Sequence, residues 1–287
     1  MIQLVYFITL FLFVAPLVCY LLYLFLSSDK KNNLIVPETK KMAVSIIVPC
    51  YNEEKFIERK INELEREALF AGISEYEIIV VSDGSTDGTN DILKKLSKEG
   101  KIKVYFLPVR KGKANALNIG VKEAANAILL FSDSRQEISE GAVKKLIYHF
   151  SDPSIAAVSC KLVHKDDKSP IRKIINRLKE LESFNCSTIG VYGPLYAVRK
   201  NYFTILPENT ILDDFFISLK IIANGGRVIM EPGALVYDLK FDSLYSKQRI
   251  LRTINGLLQI VKEHRPLLKS INFKYKLFLF CQKYYKL

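Results

Sequence analysis

The sequence has no tryptophan and only three histidines and five cysteines among its 287 residues. The histidines show no paired spacing, which argues against a histidine metal site and against a Ser/His catalytic pair. The cysteines are scattered without a Cys-x-x-Cys pair, so neither a disulfide framework nor a cysteine zinc site is expected. The phosphate loop Gly-x-x-x-x-Gly-Lys-Ser/Thr is missing, as is Gly-x-Gly-x-x-Gly after the first predicted strand. These absences exclude the usual signatures of ATPases, kinases and dehydrogenases.

Charge is absent from residues 4–25, and an apolar run of about 20 residues is long enough to cross a bilayer as a helix. No basic residue precedes the run, and four lysines follow it: Lys30, Lys31, Lys40 and Lys41. The positive-inside rule therefore places the rest of the chain in the cytoplasm. A cleaved signal peptide is the alternative, but it would have a basic leader and a shorter apolar stretch. We predict one transmembrane anchor over residues 1–27 and a linker over residues 28–42.

The formal net charge of the whole chain is +12, and the positive charge is concentrated at its C-terminal end. In residues 241–287, lysines and arginines are interleaved with leucines, isoleucines and a valine in an amphipathic pattern. This pattern is typical of a helix that lies on anionic headgroups, so membrane lipids are expected as its partner and nucleic acid is not. A solvated basic helix on a soluble domain is the alternative.

Strands and helices alternate after the linker. Buried strands are predicted at residues 43–49, 76–81, 102–107 and 127–131, with helices between them. This order predicts an α/β fold with βαβ units, and hence a mostly parallel sheet with helices on both faces. Ligands of such sheets bind beyond the carboxyl ends of the strands. Four polar clusters fall at these ends, at residues 51–53, 82–87, 110–113 and 133–135.

Three segments resemble the family-2 inverting glycosyltransferases, whose nucleotide-sugar-binding fold is called GT-A. Residues 46–54 (IIVPCYNEE) resemble the first strand and turn of that family, residues 80–87 (VVSDGSTD) its second, and residues 110–118 (RKGKANALN) the segment that follows. The resemblance extends over about residues 43–256 and implies a GT-A domain over residues 43–240. It also implies transfer of a sugar from a nucleoside diphosphate.

The resemblance assigns a role to individual residues. Tyr51, Glu53 and Asp83 would hold the base and ribose of the nucleotide, and Lys113 would lie near the phosphates. The full set of implied nucleotide-sugar-binding residues is Pro49, Tyr51, Glu53, Asp83, Lys113, Asp133, Arg135, Arg249 and Arg252.

Asp133 matches the first aspartate of the family's Asp-x-Asp motif, whose usual task is to hold a divalent metal such as Mg²⁺ or Mn²⁺ against the diphosphate. Arg135 replaces the second aspartate. A guanidinium offers a metal no oxygen ligand and repels it. Three alternatives stay open: Asp133 and Glu137 bind a metal weakly, Arg135 itself neutralises the leaving diphosphate, or Arg135 turns outward into solvent.

Asp213 and Asp214 match the family's acidic pair, in which the second carboxylate is the general base. An inverting transfer needs such a base to deprotonate the attacking acceptor hydroxyl. The alternative is that the two aspartates start a helix, since acidic residues favour its N-terminus. Both roles are compatible.

Tyr192 and Gly193 resemble the acceptor-side segment, where a glycine lets the acceptor approach the backbone; a turn entering a strand is the alternative.

Residues 249–256 (RILRTING) resemble a degraded form of the family's Gln-x-x-Arg-Trp motif. Arg249 replaces the glutamine and Thr253 the tryptophan, whereas Arg252 is kept and would bind diphosphate. The lost indole removes a stacking surface for an acceptor sugar, so processive polymer synthesis is not expected.

The sequence thus predicts a membrane-anchored glycosyltransferase that uses a nucleoside-diphosphate sugar and a lipid-linked or glycan acceptor at the cytoplasmic face. A catalytically inactive relative that binds nucleotide sugar and acts as a membrane scaffold is the alternative, because both motifs are degraded. A hydrolase with two carboxylates would not explain the nucleotide-type loops.

Overall fold

The computed structural model describes residues 42–164, 170–238 and 243–284, together with Val18, Tyr20 and Leu22. Its strands are β1 (Ala43–Cys50), β2 (Glu75–Asp83), β3 (Lys103–Leu107), β4 (Ile128–Ser132), β5 (Glu137–Ile138), β6 (Ile155–His164), β7 (Leu195–Arg199) and β8 (Arg227–Asp238). Its helices are α1 (Ile57–Phe70), α2 (Thr89–Lys98), α3 (Lys113–Glu123), α4 (Ala142–Tyr148), α5 (Pro170–Asn185), α6 (Asp213–Ala223), α7 (Ser243–Glu263), α8 (Arg265–Ser270) and α9 (Phe273–Tyr284).

The described strands form one sheet in the order β3-β2-β1-β4-β7-β6-β8-β5. In its first half, β1 is parallel to both β2 and β4, and β3 is parallel to β2. The connections between these parallel strands contain α1, α2 and α3, as crossover connections require. The predicted βαβ units of this half are confirmed.

The second half of the sheet is mixed, so the prediction of a mostly parallel sheet holds for the first half alone. Strand β7 runs antiparallel to both β4 and β6, and β5 runs antiparallel to β8, whereas β6 and β8 are parallel. A strand that is buried on both faces has the same apolar pattern whether its neighbour is parallel or antiparallel. The sequence therefore could not reveal that β7 is antiparallel. Because β7 is reversed, β6 and β8 end at the same edge as β4.

Helices cover both faces of the sheet, as predicted. Consecutive residues of β1 show this directly: Ile46 belongs to one buried apolar cluster and Ile47 to a second. The cluster around Ile46 includes side chains of α1, α2 and α4, and the cluster around Ile47 includes side chains of α3, α6 and the C-terminal helices. Strand side chains alternate between the two faces, which explains why β1 and β4 are almost entirely apolar.

The predicted anchor and linker, residues 1–27 and 28–42, lie outside the described residues except for Val18, Tyr20, Leu22 and Met42. Tyr20 is fully buried: its hydroxyl donates a hydrogen bond to Glu182 at 2.6 Å, and its ring meets Phe278 edge-on at 5.1 Å. Among the described residues, no helix combines the length and the apolar character that a membrane span requires.

The described part of the C-terminal segment packs onto the α/β domain. Its buried residues Ile260, Leu267, Ile271 and Phe278 join the same apolar cluster as Ile47. The predicted boundary at residue 240 falls in a stretch, residues 239–242, that lies outside the described part.

Candidate functional site

Hydrogen bonds link the turns that follow β1 and β2 at the carboxyl edge of the sheet. Asn52 has a left-handed backbone, with a φ of 53°, a conformation that non-glycine residues seldom adopt. Its side-chain oxygen accepts a hydrogen bond from the Thr86 backbone N–H at 2.9 Å, and its own N–H donates to the Ser85 hydroxyl at 3.1 Å. The two turns are therefore fixed to each other, as convergent strand ends predict.

Asp83 holds the next loop in place. Its buried carboxylate accepts hydrogen bonds from the backbone N–H groups of Lys111 at 2.7 Å and Gly112 at 2.8 Å. The neighbouring Gly84 has a φ of 70°, and a Cβ there would lie 2.4 Å from the backbone nitrogen of Arg110. Only glycine lets the loop approach this closely. In the structure Asp83 shapes the loop that leads to Lys113.

Tyr51 presents an aromatic face at the same edge. The Arg110 guanidinium carbon lies 4.1 Å from the centre of the Tyr51 ring, within cation–π distance. Pro49 is opposite Val81 near the end of β1, two residues before Tyr51. A partly exposed ring beside a guanidinium is a surface on which a nucleotide base can stack.

Arg135 faces a predicted donor-site carboxylate instead of turning outward. Its Nε lies 2.8 Å and 2.9 Å from the two carboxylate oxygens of Glu53. Its guanidinium carbon is also 5.8 Å from the centre of the Phe56 ring. Burial raises the pKa of Glu53, against the opposing effect of the Arg135 hydrogen bond and charge. The residue that replaces the second motif aspartate thus belongs to the candidate site.

Lys113 joins the two acidic motifs. Its ammonium nitrogen lies 2.8 Å from Asp133 Oδ1 and 3.3 Å from Asp213 Oδ2. Burial acts to lower the pKa of Lys113, but the carboxylates of Asp133, Asp213 and Asp214 outweigh it and hold that pKa above its ordinary value. Lys113 is therefore a fixed cation between the end of β4 and the start of α6.

The acidic pair begins α6, so the two aspartates do start a helix, and the general-base role of the second one stays a prediction. Asp213 is buried. Asp214 is half-buried, and its Oδ1 accepts a hydrogen bond from the Phe215 backbone N–H at 2.7 Å. Gly193 lies against the other oxygen: a Cβ at residue 193 would be 3.2 Å from Asp214 Oδ2 and 3.8 Å from Lys113 Nζ.

Tyr192 directs its side chain away from this cluster. Its ring is buried, and its hydroxyl donates a hydrogen bond to the Asn176 side chain at 2.7 Å. Burial raises the pKa of Tyr192 to about 12. Of the two predicted acceptor residues, the structure brings Gly193 to the acidic pair and uses the Tyr192 side chain to support the turn from behind.

The two C-terminal arginines occupy different places. Arg252 Nη2 lies 3.9 Å from Asp213 Oδ1 and donates a hydrogen bond to the Ile211 carbonyl at 3.1 Å. Arg249 instead pairs with the buried carboxylate of Asp238 at 3.0 Å, at the end of β8. Arg252 is therefore part of the cluster around Lys113, whereas Arg249 is bound at the end of β8.

Two residues of α7 that the sequence did not single out position the acidic pair. The Gln259 side chain accepts a hydrogen bond from the Ile211 N–H at 3.1 Å and donates one to the Asn209 carbonyl at 2.9 Å. A Cβ at Gly256 would lie 2.4 Å from Leu212 Cγ, so a side chain here would have to displace Leu212 or the helix. A glycine inside an amphipathic helical pattern was the available signal.

The side chains present do not form a metal site by themselves. Asp133 is paired with Lys113, and Glu137 lies 3.2 Å from the Arg59 guanidinium. Within the described ranges, no group of three or more His, Cys, Asp or Glu side chains could hold a metal ion. Hard cations need several oxygen ligands. The donor set therefore does not fit a divalent metal without the displacement of Lys113 from Asp133.

Comparisons with known proteins agree with this arrangement. A family model described as "Glycosyl transferase family 2" matches residues 45–206. Poly-beta-1,6-N-acetyl-D-glucosamine synthase of Staphylococcus aureus (strain COL) is 24% identical over 270 residues, which is 89% of this chain. The corresponding synthase of Staphylococcus epidermidis is 25% identical over 267 residues, or 87% of the chain. The chain spans 64% of the length of these relatives.

Solved structures show the same fold. Mannosyltransferase PcManGT from Pyrobaculum calidifontis, in complex with GDP-Man and Mn²⁺, has a TM-score of 0.76 and 24% identity, over 96% of this chain and 80% of that one. S. aureus TarS 1-349 in complex with UDP-GlcNAc has a TM-score of 0.57 and 21% identity, over 77% of this chain and 67% of that one. These similarities establish a GT-A-like fold.

Proposed function

Because the chain belongs to glycosyl transferase family 2, we propose that it transfers a sugar from a nucleoside diphosphate to an acceptor with inversion at the anomeric carbon. The observation that carries the proposal is the position of Lys113, whose ammonium contacts Asp133 on one side and Asp213 on the other. One cation at the edge of the sheet thus connects the donor-side motif with the acidic pair.

Asp214 is the proposed general base. One of its oxygens is held by the Phe215 N–H, and the other faces Gly193, where no side chain obstructs an acceptor. The acceptor hydroxyl attacks the anomeric carbon and gives its proton to Asp214, while the bond from that carbon to the diphosphate oxygen breaks. A carboxylate held by a backbone N–H is oriented for this transfer.

Cationic side chains take up the negative charge of the leaving diphosphate in this proposal. Lys113, Arg135 and Arg252 all reach the site, and each contacts a carboxylate or carbonyl from which it can shift toward a phosphate. Charge-assisted contacts from lysine and arginine to phosphate are strong. The proposed steps use these cations alone, because Asp133 is paired with Lys113 and Glu53 with Arg135 in the structure.

The donor is proposed to be a uridine or guanosine diphosphate sugar. PcManGT was solved with GDP-Man and TarS with UDP-GlcNAc, and this chain shares their fold. The aromatic face of Tyr51 and the ordered loop between Asp83 and Lys113 support binding of a base and a diphosphate at this edge.

We further propose that the reaction takes place at a membrane, with a lipid-linked or glycan acceptor. Four apolar side chains on the outer side of α7 are exposed: Ile250, Leu251, Leu258 and Val261. Two exposed lysines, Lys247 and Lys262, accompany them. An apolar stripe with basic residues is typical of helices at membrane surfaces, and the uncharged stretch that begins at residue 4 would add an anchor that meets the domain core at Tyr20. The full-length protein should stay in the membrane fraction after carbonate extraction; release into the supernatant would contradict this part.

The substitution D214N tests the proposed reaction. It removes the base but keeps the shape of the side chain, so the rate of sugar transfer should fall by about 100-fold to 10,000-fold while donor binding is unchanged. Transfer would be measured with radiolabelled nucleotide sugars and a membrane-lipid extract as the acceptor pool, and donor binding by calorimetry. D91N, an exposed aspartate on α2, is the matched control.

Three results would change this interpretation. Full activity of D214N would show that Asp214 is not the base. Donor binding by the wild-type protein without transfer to any acceptor would favour the scaffold alternative. The absence of binding to every nucleotide sugar tested would refute both.

A further inference from the structure

The chain between α5 and β7 is held in place by buried side chains. Residues 188–192 are buried although they belong to no helix or strand, and they lead through Gly193 to β7. Their backbone N–H groups need partners, because a buried N–H without one is costly. Side chains of three different elements, α5, α6 and β6, each accept one of these hydrogen bonds: Glu182 from Ile189 at 3.3 Å, Ser218 from Val191 at 3.0 Å and Ser159 from Tyr192 at 2.8 Å.

Of these three side chains, Ser218 is the one that lies on α6, the helix that begins with the acidic pair. It is fully buried, and its hydroxyl donates a hydrogen bond to the Asp214 carbonyl at 2.7 Å while it accepts the one from the Val191 N–H. A serine inside a helix often bonds the carbonyl four residues earlier, but here the same oxygen also holds a second segment. Ser218 therefore joins the backbone of the proposed base to the backbone of the acceptor-side segment.

The same two segments also meet on both sides of this bridge. A Cβ at Gly190 would lie 3.0 Å from Cδ2 of the Phe215 ring, and a Cβ at Gly193 would lie 3.2 Å from Asp214 Oδ2. The backbone of residues 190–193 is thus packed directly against the first turn of α6. Because Val191 lies between the two glycines, its hydrogen bond to Ser218 holds the segment at the point where it faces the Asp214 carboxylate.

We propose that Ser218 is a positioning residue that sets the distance between Gly193 and the Asp214 carboxylate, and with it the space in which the acceptor hydroxyl meets the base. This inference rests on the proposed function, because it concerns the same reaction. Ser218 acts through the two backbone groups that it joins and has no contact with a substrate in this proposal. A misplacement of about 1 Å at a reacting group costs about 100-fold in rate, so the length of this bridge has a kinetic consequence.

Removal of the hydroxyl tests the proposal, and Ser159 supplies the matched control. Both serines are fully buried and each accepts one N–H of the segment, but the Ser159 hydroxyl donates to the Cys160 carbonyl of its own strand. S218A and S159A should therefore lower the melting temperature by similar amounts, since each leaves one buried N–H without its partner. S218A alone should reduce kcat/KM for the acceptor at least about tenfold, and donor binding should be unchanged in both variants.

A double-mutant cycle with G193A separates positioning from a general loss of stability. A methyl group at residue 193 presses on Asp214 Oδ2, and release of the Ser218 bridge lets the segment move back from it. The rate penalty of G193A should therefore be at least about threefold smaller in the S218A background than in wild type, whereas independent effects would multiply. S218C keeps the buried volume but is a weak hydrogen-bonding group, so it should show the same acceptor defect and replaces S218A if that variant does not fold.

The measurements use the full-length protein in detergent, with radiolabelled nucleotide sugars and limiting amounts of the membrane-lipid extract, so that initial rates are proportional to kcat/KM for the acceptor. Donor binding is measured by calorimetry on the same samples. If the wild-type protein binds and transfers the sugar, but S218A and S159A transfer it equally fast or the cycle is multiplicative, the positioning inference alone is wrong. If the wild-type protein binds no nucleotide sugar or transfers none, the proposed function is wrong and this inference fails with it.

Discussion

Arg135 stands where the Asp-x-Asp motif has its second aspartate, and the structure shows what the substitution does locally. Its guanidinium pairs with Glu53, a carboxylate that also lies close enough to Asp133 for their charges to interact. The arginine therefore places a positive charge where the predicted Asp-x-Asp motif would have a carboxylate.

Restoring the aspartate should restore a metal site. In R135D, three carboxylates, at residues 53, 133 and 135, would converge without the guanidinium, and hard cations bind such oxygen clusters. We expect Mn²⁺ to bind the nucleoside-diphosphate complex of R135D at least about tenfold more tightly than that of wild type, as measured by calorimetry. R66D, on the exposed side of α1, is the control for added negative charge. Equal Mn²⁺ affinity in all three proteins would contradict the assignment.

Gly193 leaves space for the Asp214 carboxylate because it has no side chain. A methyl group at this position would lie 3.2 Å from Asp214 Oδ2, so the carboxylate would have to move by a few tenths of an ångström. A misplaced base and a narrower approach both slow the reaction. G193A should therefore reduce kcat/KM for the acceptor at least about tenfold and leave donor affinity unchanged. Unaltered acceptor kinetics would remove Gly193 from the acceptor path.

At the scale of elements, α7 holds the start of α6. Gly256 packs on Leu212, Gln259 binds the backbone on both sides of Thr210, and Arg252 reaches Asp213. The outer face of α7 therefore carries the exposed apolar stripe, and its inner face packs on the segment that carries the acidic pair. A membrane contact on the outer face would act on the same element that positions the proposed base.

The substitution G256A distinguishes this packing role from intrinsic helix propensity. Alanine is favoured over glycine in a helix by about 1 kcal/mol, so propensity alone would raise the melting temperature. A Cβ 2.4 Å from Leu212 Cγ must instead displace the Leu212 side chain or the helix itself. We expect a lower melting temperature and slower transfer, measured by thermal denaturation and the sugar-transfer assay. N255A, the exposed neighbour, should be neutral or stabilising; an increase in stability for G256A would show that the contact is unimportant.

At the scale of the whole molecule, residues from distant parts of the chain share one buried polar centre. The Glu182 carboxylate of α5 accepts hydrogen bonds from the hydroxyls of Tyr20 at 2.6 Å and Thr188 at 3.0 Å. Phe278 of α9 packs on the Tyr20 ring. Part of the predicted anchor and part of the C-terminal segment therefore belong to the same core as the α/β domain.

This buried carboxylate predicts a pH-dependent stability. Burial raises the pKa of Glu182 above its ordinary value of 4.5, and the hydrogen bonds and the Lys179 charge offset only part of that effect. A carboxyl with a raised folded-state pKa contributes stability at pH values below 4.5, and this contribution is lost as the pH rises through the folded pKa. E182Q stays neutral, so its melting temperature should exceed that of wild type near neutral pH and converge with it in acid. Melting curves between about pH 4 and 8 would measure this, with the exposed E99Q as the control; parallel curves for wild type and E182Q would refute the assignment.

The sequence determined the parts of this protein that depend on local patterns. Apolar runs broken by polar turns predicted the strands β1 to β4 and the edge at which their turns meet. Asp133, Asp213 and Asp214 were predicted as site residues from their resemblance to family motifs, and their catalytic roles stay predictions. The amphipathic character of the C-terminal segment was likewise visible in its spacing.

The tertiary structure decided every feature that depends on which residues meet across the sheet. The reversal of β7, the pairing of Arg135 with Glu53 and the burial of the Tyr192 ring all follow from contacts between segments far apart in the chain. Lys113 is the clearest case, since its position between Asp133 and Asp213 requires three separate segments to converge. A side chain's partners and pKa are set by distance in space, and one sequence contains no measure of that distance.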